Sequence, residues 1–461
     1  MNSTIAAIST APAAAGIGVV RLSGPEALVV ADRIFRSPRK GQSLKELPGY
    51  TARFGHVYDR EGDIDECVAL VFHAPHSYTG ENMAELSCHG GLYLLKRVLR
   101  AALEAGARPA GPGEFTRRAF VNGKIDLTRA EAVMDLIAAD GRLAAKTALA
   151  AREGAIFQKL RRLKEDLAGV CAGIAAYVDY PDDDIPELAP DELQAALDRS
   201  EAILTALLST FDAGRILREG IDTVIAGSPN VGKSTLMNLL AGCERSIVTS
   251  AAGTTRDIVE ETVRVGDVKL RLSDTAGIRD TDNEAEAIGV DRARKRMESA
   301  LLLLCVFDGT RPLDENDRAV ARAAAGKTAI ALINKADVTG SEDRLTEEDR
   351  VLLQDCFSRI VALSALEGSG RRELEQAVQD VTGVERLAEA DAVLATERQR
   401  QCAETCLACI QEARQALEAG LTLDVIGASL DGAIAAVGQL TGETATEAVV
   451  NEIFARFCVG K

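Results

Sequence analysis

The residues with the clearest chemical potential are Gly227-Ser228-Pro229-Asn230-Val231-Gly232-Lys233-Ser234-Thr235, which read G-x-x-x-x-G-K-S. Apolar residues 223–226 precede this loop and residues 236–240 continue as a helical pattern, so the loop joins a buried strand to a helix. Its two glycines let the backbone curl until several N–H groups point at a polyphosphate. Lys233 supplies a positive charge for the β and γ oxygens, and Ser234 supplies a hydroxyl for Mg²⁺. The pattern predicts a nucleotide site.

Two further motifs select the base. Asn334-Lys335-Ala336-Asp337 follows a buried apolar run, and Asp337 can accept hydrogen bonds from the ring N–H and the exocyclic amine of guanine. Adenine offers neither donor on that edge, and an unpaired buried carboxylate is costly. Ser364-Ala365-Leu366 ends another strand and is expected to contact the guanine oxygen through its backbone. The sequence therefore predicts GTP.

The Mg²⁺ and γ-phosphate side of the site is predicted from two other segments. Asp274-Thr275-Ala276-Gly277 ends the strand expected at residues 268–273, where a carboxylate on the Mg²⁺ side belongs. Gly253-Thr254-Thr255-Arg256-Asp257 lies between the loop and that strand, and Thr255 can close the Mg²⁺ shell and sense the γ-phosphate.

One departure concerns the attacking water. Many GTPases place Gln directly after D-T-A-G to orient this water, whereas this chain has Ile278, which cannot hydrogen-bond to it. Glu284 and Glu286 are the nearest carboxylates that could take over. No arginine finger is evident, and the side-chain oxygen of Asn230 could hold a monovalent cation beside the phosphates.

Length and composition describe a multidomain globular protein. A chain of 461 residues suggests about three domains, and 47% hydrophobic residues can bury ample surface. No apolar run is expected to reach the roughly 20 residues that span a bilayer, so no membrane association is predicted. Ten cysteines without a paired framework favour reduced thiols and a cytoplasmic location.

The charge is uneven along the chain. Residues 1–120 carry a net charge of +2 and the remaining residues carry −19, which together give the total of −17. Such an acidic bias argues against holding nucleic acid by overall electrostatics, because phosphate neutralisation needs clustered cations. Any RNA contact must use a local patch or be shared with a partner.

Hydrophobic periodicity divides the chain into an α+β segment at 1–120, a helical segment at 121–218, an α/β P-loop segment at 219–384 and a second helical segment at 385–461. Helix is predicted from about residue 127 to 177 and from 191 to 218. Buried parallel strands are predicted at 268–273, 301–307, 329–333 and 360–363. Helical segments on both sides of the α/β segment suggest that the nucleotide domain is inserted into an all-α domain.

With these motifs in place, the chain resembles the MnmE (TrmE) family of tRNA-modification GTPases along its whole length. The similarity includes motifs outside the nucleotide site: Ser77-Tyr78-Thr79-Gly80-Glu81, Glu85, His89-Gly90-Gly91, Gly111-Pro112-Gly113-Glu114-Phe115-Thr116, Asn122-Gly123-Lys124 and the terminal Cys458-Val459-Gly460-Lys461. The C-x-G-K ending beside a GTPase domain is highly specific.

The resemblance implies a homodimer that forms through folate-binding-like N-terminal domains and holds a 5-formyltetrahydrofolate-type one-carbon donor. Arg21, Glu85 and Lys124 match the family's folate contacts, and Lys461 is expected to bring the tail to that pocket. Cations suit the glutamate carboxylate of the folate, while a carboxylate suits its pterin N–H donors.

The resemblance also implies a K⁺ site and a catalytic carboxylate. The K⁺ ligands match Asn230 and the backbone oxygens of Thr249, Ala251 and Thr254, and the water-orienting carboxylate matches Glu286 rather than Glu284. With an FAD-dependent partner, MnmG, in a heterotetramer or larger complex, the family adds an aminomethyl or carboxymethylaminomethyl group at C5 of the wobble uridine of certain tRNAs.

Besides the folate and K⁺ sets, three further sets of site residues are predicted. Lys233, Asn230 and Glu286 are expected to be catalytic, and Ser234 and Thr255 to bind Mg²⁺. The predicted GTP contacts are Asn230, Val231, Gly232, Lys233, Ser234, Thr235, Thr249, Ser250, Ala251, Ala252, Gly253, Thr254, Thr255, Asp274, Thr275, Ala276, Gly277, Asn334, Lys335, Asp337, Ser364, Ala365 and Leu366.

Other patterns have alternative interpretations. Cys402, Cys406 and Cys409 have the C-x₃-C-x₂-C spacing of a radical-enzyme iron–sulfur site, but their helical offsets favour a buried stripe. His73, His76 and His89 could be a zinc cluster, although the resemblance places His89 in a loop. Cys458 is either a reactive thiol or an anchor for the tail.

The alternative function is a GTP-controlled binding switch, such as a ribosome-assembly factor. Such a switch needs no folate pocket, so the first 120 residues discriminate between the two functions.

Overall fold

The computed structural model describes residues 3–38, 43–179, 190–242, 261–272, 298, 300–339 and 344–461. The chain divides into two compact units, the first made of residues 1–134, 160–164 and 434–461, the second of residues 135–159 and 165–433. Each unit is built around its own sheet. The four domain ranges expected from the sequence stay predictions.

The sheet of the first unit has seven strands in the order β3-β4-β5-β6-β2-β1-β7. The strands are β1 (Ile5–Ile8), β2 (Ala15–Ser23), β3 (Phe35–Arg36), β4 (Thr51–Asp59), β5 (Gly62–Phe72), β6 (Met83–Gly90) and β7 (Arg108–Pro109). On β2, Val20 and Leu22 point into the core, whereas Arg21 between them points to the opposite face. This alternation leaves one face of the sheet free to carry polar groups.

Two helices, α1 (Ala27–Arg33) and α2 (Leu92–Glu104), and a 3-10 turn at Leu44–Glu46 pack on the apolar face of this sheet. Phe115 of α3 (Glu114–Val121) packs instead with Ile5 and Ala7 of β1. Near the C-terminus, α16 (Glu447–Ala455) packs against Leu127 in a separate cluster. Leu95 and Val98 on α2 are buried with Val20 and Leu86 in one hydrophobic cluster. Three helices contribute residues to both units: α4 (Leu127–Ala138), α6 (Ala155–Asp179) and α15 (Leu423–Thr441).

The sheet of the second unit has six strands in the order β13-β12-β11-β8-β10-β9. The strands are β8 (Ile221–Ala226), β9 (Glu261–Val265), β10 (Val268–Leu272), β11 (Leu302–Asp308), β12 (Ala329–Asn334) and β13 (Arg359–Ala362). Both β11 and β12 are buried along their whole length, as expected for central parallel strands. Their carboxyl ends place the nucleotide motifs along one edge.

The remaining helices belong to the second unit. They are α5 (Arg142–Glu153), α7 (Pro190–Leu208), α8 (Phe211–Glu219), α9 (Lys233–Gly242), α10 (Glu315–Ala324), α11 (Ala336–Thr339), α12 (Glu347–Cys356), α13 (Arg371–Thr382) and α14 (Glu397–Glu418), with a 3-10 turn at Val384–Ala388.

The parallel pairing of the predicted strands is confirmed. The expected burial was wrong for β13, which lies at the edge of the sheet and has Ile360 41% exposed. Two details of the predicted helices were also wrong. The helix expected from 127 to 177 is broken twice, at Gly141 and at Gly154, where the backbone of Gly154 turns left-handed with φ of 99°. The second expected helix, 191–218, is broken at residues 209–210. The edge strand β9, which pairs antiparallel with β10, was not predicted.

Among the residues that the structure describes, α15 is long and apolar enough to cross a membrane by length and composition alone. The expectation that no apolar segment reaches this length was therefore wrong. Its mean hydropathy is 1.3, 39% of the apolar stretch is buried, and the buried residues include Ile426, Leu430, Val437 and Leu440. The buried positions recur at helical spacing, as in a helix that packs one face against a globular domain.

Candidate functional site

The phosphate-binding loop joins β8 to α9 as predicted. Gly232 has φ of 100°, and a Cβ atom there would clash with the Asn334 amide, so only glycine fits. Asn230 also adopts a left-handed backbone, with φ of 65°, and its residue is exposed. The helix that follows begins at Lys233 and directs its N-terminal N–H groups toward the loop.

Lys233 lies folded over this loop. Its ammonium donates to the carbonyl oxygens of Gly227, at 2.8 Å, and Ser228, at 2.7 Å. Burial lowers the pKa of Lys233, and the charge of Asp317 opposes that effect. The charged group is thus held beside the backbone that would receive phosphate, with the Ser234 residue exposed next to it.

Asn334 ties the phosphate loop to the base-recognition loop. Its side-chain amide donates to the carbonyl of Val231 at 2.8 Å, and its side-chain oxygen accepts from the backbone N–H of Ala365 at 2.9 Å. The residue is only 4% exposed. Three segments that are distant in sequence are therefore brought together by one predicted site residue.

The guanine motif is held by an ion pair that the sequence analysis missed. Lys335 Nζ lies 2.6 Å from Asp308 Oδ2 at the end of β11. Burial alone would raise the pKa of Asp308, but hydrogen bonds from Lys335 and Thr310 outweigh it and hold that pKa below its ordinary value. A sequence signal was available, since Asp308 ends one predicted buried strand and Lys335 directly follows the next.

Asp337 and Leu366 are accessible at this edge. Asp337 lies in the first turn of α11 and is exposed, and Leu366 is 77% exposed, whereas Ser364 and Ala365 are buried. The structure thus places the predicted base contacts at a surface that a planar ligand can reach. Thr235, in the first turn of α9, is half-buried.

The remaining predicted nucleotide, Mg²⁺, K⁺ and catalytic residues lie outside the described residues. They are Thr249, Ser250, Ala251, Ala252, Gly253, Thr254, Thr255, Asp274, Thr275, Ala276, Gly277 and Glu286.

A second cluster of predicted residues lies on the first unit. Arg21 and Glu85 are direct cross-strand partners on β2 and β6, and Arg21 Nε donates to Glu85 Oε1 at 2.8 Å. The guanidinium of Arg21 also lies 5.9 Å from the ring centre of Tyr78 and 5.6 Å from that of Phe115. The structure thus places a charged pair and two aromatic rings in one cluster.

The C-terminal tail reaches this cluster through its backbone. The carbonyl of Gly460 accepts from Arg21 at 3.2 Å, and the carbonyl of Lys461 accepts from the N–H of Phe115 at 3.1 Å. Val459 forms a bridge with Pro112, and Cys458 is exposed. The tail is therefore built into the first unit.

Lys124 lies beside the same loop that carries Tyr78. Its ammonium donates to the carbonyl of Pro75 at 3.0 Å, and its side chain runs past Gly80. The neighbouring Asn122 donates to the carbonyl of Thr79 at 2.7 Å. Of the four predicted folate residues, Arg21, Glu85 and the Lys461 backbone thus lie in one cluster, and Lys124 contacts the loop that carries Tyr78.

A buried charge network that was not predicted from the sequence lies behind this loop. Arg118 is fully buried, and it donates to Glu81 at 2.9 Å and to Glu114 at 3.0 Å. Burial alone would raise the pKa of Glu114, but hydrogen bonds from Arg108, the N–H of Gly111 and Arg118 hold it below the ordinary value. A charged residue in a short helix gives no signal in sequence that it will be buried.

The cysteine and histidine patterns have structural explanations. Cys402, Cys406 and Cys409 lie on α14, as predicted, but the expected buried stripe is confirmed only at Cys406, since the other two are half-buried. Burial raises the pKa of Cys406 to about 12. The placement of His89 in a loop was wrong, because this residue lies on β6 and its Nδ1 contacts Asp65 at 2.8 Å. Within the described ranges, no group of three or more His, Cys, Asp or Glu residues could hold a metal ion.

Comparison with known proteins decides the family. Residues 4–124 match the family described as the GTP-binding protein TrmE N-terminus, and residues 127–458 match the MnmE helical domain. The chain belongs to the MnmE family. Three curated relatives, each named tRNA modification GTPase MnmE, come from a Thermoanaerobacter species, Geobacillus kaustophilus and Geobacter sulfurreducens. They are 39%, 40% and 40% identical over 99%, 99% and 100% of both chains.

The MnmE assignment confirms the predicted family, the fold class and the enzyme class, a P-loop GTPase. A solved structure of the G domain of the FeoB iron transporter from T. maritima covers 35% of this chain and 98% of its own, with 21% identity and a TM-score of 0.26. A score of this size supports no conclusion about the MnmE chain.

Proposed function

We propose that this chain is a K⁺-dependent GTPase that acts with an FAD-dependent MnmG-type partner on the wobble uridine of certain tRNAs. The product carries an aminomethyl or carboxymethylaminomethyl group at C5, and a tetrahydrofolate supplies the one-carbon unit. The protein works in the cytoplasm as a homodimer. The observation that carries the proposal is the coexistence of a GTP-type loop around Lys233 and an Arg21–Glu85 platform in one chain of this family.

The nucleotide half of the proposal follows from the donor set. Lys233 and the N-terminus of α9 attract phosphate, Ser234 offers an oxygen of the kind Mg²⁺ prefers, and Asp337 offers two acceptors to guanine. When bound, Mg²⁺ neutralises charge on the phosphates. Asn334 keeps the phosphate loop and the base loop in register, so both ends of one GTP are recognised together.

Potassium dependence is the sharpest test of the catalytic proposal. Asn230 is exposed on the loop, where its side-chain oxygen can join backbone oxygens of Thr249, Ala251 and Thr254 around a monovalent cation. GTP turnover should be at least tenfold faster in KCl than in NaCl at equal ionic strength, and Asn230→Ala should abolish the difference. Equal rates in the two salts contradict the cation site.

Water positioning is assigned to Glu286. Glu286→Ala should lower GTP turnover by about 100-fold, the range for removing a general base, without weakening GDP binding. Glu284→Ala is the matched control, because it removes the same side chain two residues away and should leave turnover within twofold. Turnover that survives Glu286→Ala, or that falls equally in both variants, contradicts the assignment.

The folate half of the proposal places the ligand against Arg21, Glu85, Lys124 and Lys461. Arg21→Ala should weaken binding of 5-formyltetrahydrofolate at least tenfold, because it removes the charge and leaves Glu85 without its partner. Arg33→Ala, on a helix of the same unit, is the control. Absence of folate binding by the wild type at millimolar ligand favours the GTP-controlled switch instead.

The substrate itself is tested in cells. Deletion of the gene should remove the C5 modification from wobble uridines, as measured by mass spectrometry of isolated tRNA. Because the chain carries −17, its tRNA contact is expected to be shared with the partner, and tRNA affinity should rise when that partner is added. Unchanged wobble uridines in the deletion strain contradict the proposed function.

A further inference from the structure

The antiparallel hairpin of β9 and β10 holds the start of α5. Three side chains of this hairpin contact residues 140–143: Arg264 on β9, Asp267 in the turn and Lys269 on β10. All of these residues belong to the second compact unit. Asp140, before α5, and Leu143, in its first turn, are therefore bound to one edge of the nucleotide-binding sheet.

Asp267 caps α5 from another part of the chain. The N-cap residue of α5 is Gly141, which has no side chain to accept from the first helical N–H groups. Asp267 Oδ1 accepts from the N–H of Leu143 at 3.1 Å. A Cβ atom on Gly141 would lie 3.1 Å from the same carboxylate oxygen, tighter than ordinary contact. The helix thus depends on the hairpin for its N-terminal acceptor.

Asp140 adds charge to this contact. Lys269 Nζ lies 3.0 Å from Asp140 Oδ2, with side chains only 21% and 28% exposed. The guanidinium of Arg264 donates to the backbone carbonyl of Asp140. A half-buried ion pair with a second donor is stronger than an exposed pair, because solvent screens it less.

Apolar packing makes the same connection. Leu143 is 8% exposed and belongs to the hydrophobic cluster that contains Val263, Val265, Val268 and Leu270 of the hairpin. The two segments share one core, so they move together when either is displaced, since packed cores have discrete arrangements and do not deform continuously.

The β9–β10 hairpin lies in the sequence between two residues that are predicted to contact the nucleotide or its Mg²⁺. Thr255, the predicted γ-phosphate sensor, stands six residues before β9, and Asp274, the predicted Mg²⁺-side carboxylate, stands two residues after β10. We propose that the β9–β10 hairpin transmits the nucleotide state to α5 through Asp267 and the Lys269–Asp140 pair. This inference rests on the proposed GTPase function and names the contacts through which it is relayed.

The test compares Lys269→Glu with Arg359→Glu in the full-length protein. Arg359 forms a 2.9 Å pair with Asp380 elsewhere on the same sheet, so it controls for loss of an ion pair without touching α5. Hydrogen exchange of the amides of residues 143–150 is measured with GDP and with a slowly hydrolysed GTP analogue. In the wild type and in Arg359→Glu, exchange should differ at least threefold between the two nucleotides. In Lys269→Glu the difference should vanish, while basal GTP turnover stays within twofold.

Two further variants separate transmission from folding. Asp267→Ala removes only the cap and should abolish the nucleotide-dependent difference as well, with at least tenfold faster exchange of the Leu143 amide. The charge swap Lys269→Glu with Asp140→Lys should restore the difference. In cells, Lys269→Glu should lower wobble-uridine modification at least fivefold, and the swap should recover it.

Several outcomes overturn the proposal. One is wild-type exchange at residues 143–150 that is identical with both nucleotides. Another is a nucleotide-dependent difference that persists in both Lys269→Glu and Asp267→Ala. If the wild type modifies tRNA and Lys269→Glu modifies it equally, the hairpin proposal fails alone. If the wild type has no effect on wobble uridines, the proposed function fails instead, whatever the exchange result.

Discussion

Removal of the buried guanidinium of Arg118 should destabilise the first unit strongly. Arg118→Met keeps most of the side-chain volume but leaves Glu81 and Glu114 facing each other in a site where their side chains are only 15% and 12% exposed. Glu114 would keep Arg108, and Glu81 would keep a hydrogen bond from Ser23. Neither contact compensates the charge that Arg118 brings between them.

The expected size follows from the burial. Breaking a buried ion network by removing one partner costs about 3–5 kcal/mol, mostly as uncompensated charge. For a unit of this size each kcal/mol lowers the melting temperature by about 2–4 °C, so a loss of roughly 6–20 °C is expected. A loss of this size in the free energy of unfolding would show that the Arg118 network stabilises the first unit.

Calorimetry of the full chain, with and without GDP, measures the effect. The unfolding transition of the first unit is the one whose temperature GDP leaves unchanged, because a ligand stabilises only the unit that binds it. Arg117→Met is the matched control: the neighbouring arginine has only a 3.6 Å contact with an 82% exposed Glu447, so at most about 1 kcal/mol is expected. Adding Glu81→Gln and Glu114→Gln to Arg118→Met should recover part of the loss. Equal losses in the Arg118 and Arg117 variants would refute the reasoning.

Three other predictions concern single groups. Gly232→Ala should weaken GTP binding roughly ten- to hundredfold, because left-handed strain costs about 1–3 kcal/mol and the new Cβ meets Asn334. A fluorescent GDP titration checks this, and the control Gly242→Ala, at a position with open space, should leave the affinity unchanged. Asp337→Asn should lower GTP affinity at least about 100-fold, since hydrogen bonds to a carboxylate contribute about 1.5–3 kcal/mol each. In a competition assay, this variant should prefer the xanthine nucleotide over the guanine nucleotide. The depressed pKa of Glu114 stabilises the fold fully above its ordinary pKa of 4.5, and this contribution is lost as pH falls through the folded value. The melting temperature is measured from pH 7 to pH 3. At pH values below about 4.5, it should therefore decrease less steeply in Glu114→Gln than in the wild type.

Much of the fold was predictable because the hydrophobic periodicity of a segment and the turn residues at its ends indicate the same element. Apolar runs at residues 301–307 and 329–333 became the central strands β11 and β12, where every residue is buried. The helix breaks at Gly141 and Gly154 were missed, since Ala-rich sequence favours helix and a single glycine costs only about 1 kcal/mol there. The edge strand β9 was missed because its burial alternates and its partner is decided by register with β10.

The sequence by itself determined the nucleotide chemistry of this protein: a Gly-rich loop, a lysine and an aspartate carry their function in residue type and local spacing, which short-range geometry makes specific. Only the tertiary structure decided that Asn334 joins two loops, that the Gly460 carbonyl holds Arg21, that Arg118 is buried between two carboxylates and that Asp267 caps α5. These contacts join residues dozens to hundreds of positions apart or depend on burial. The free energy of such contacts arises only when the chain has packed and excluded water, so no local pattern announces them.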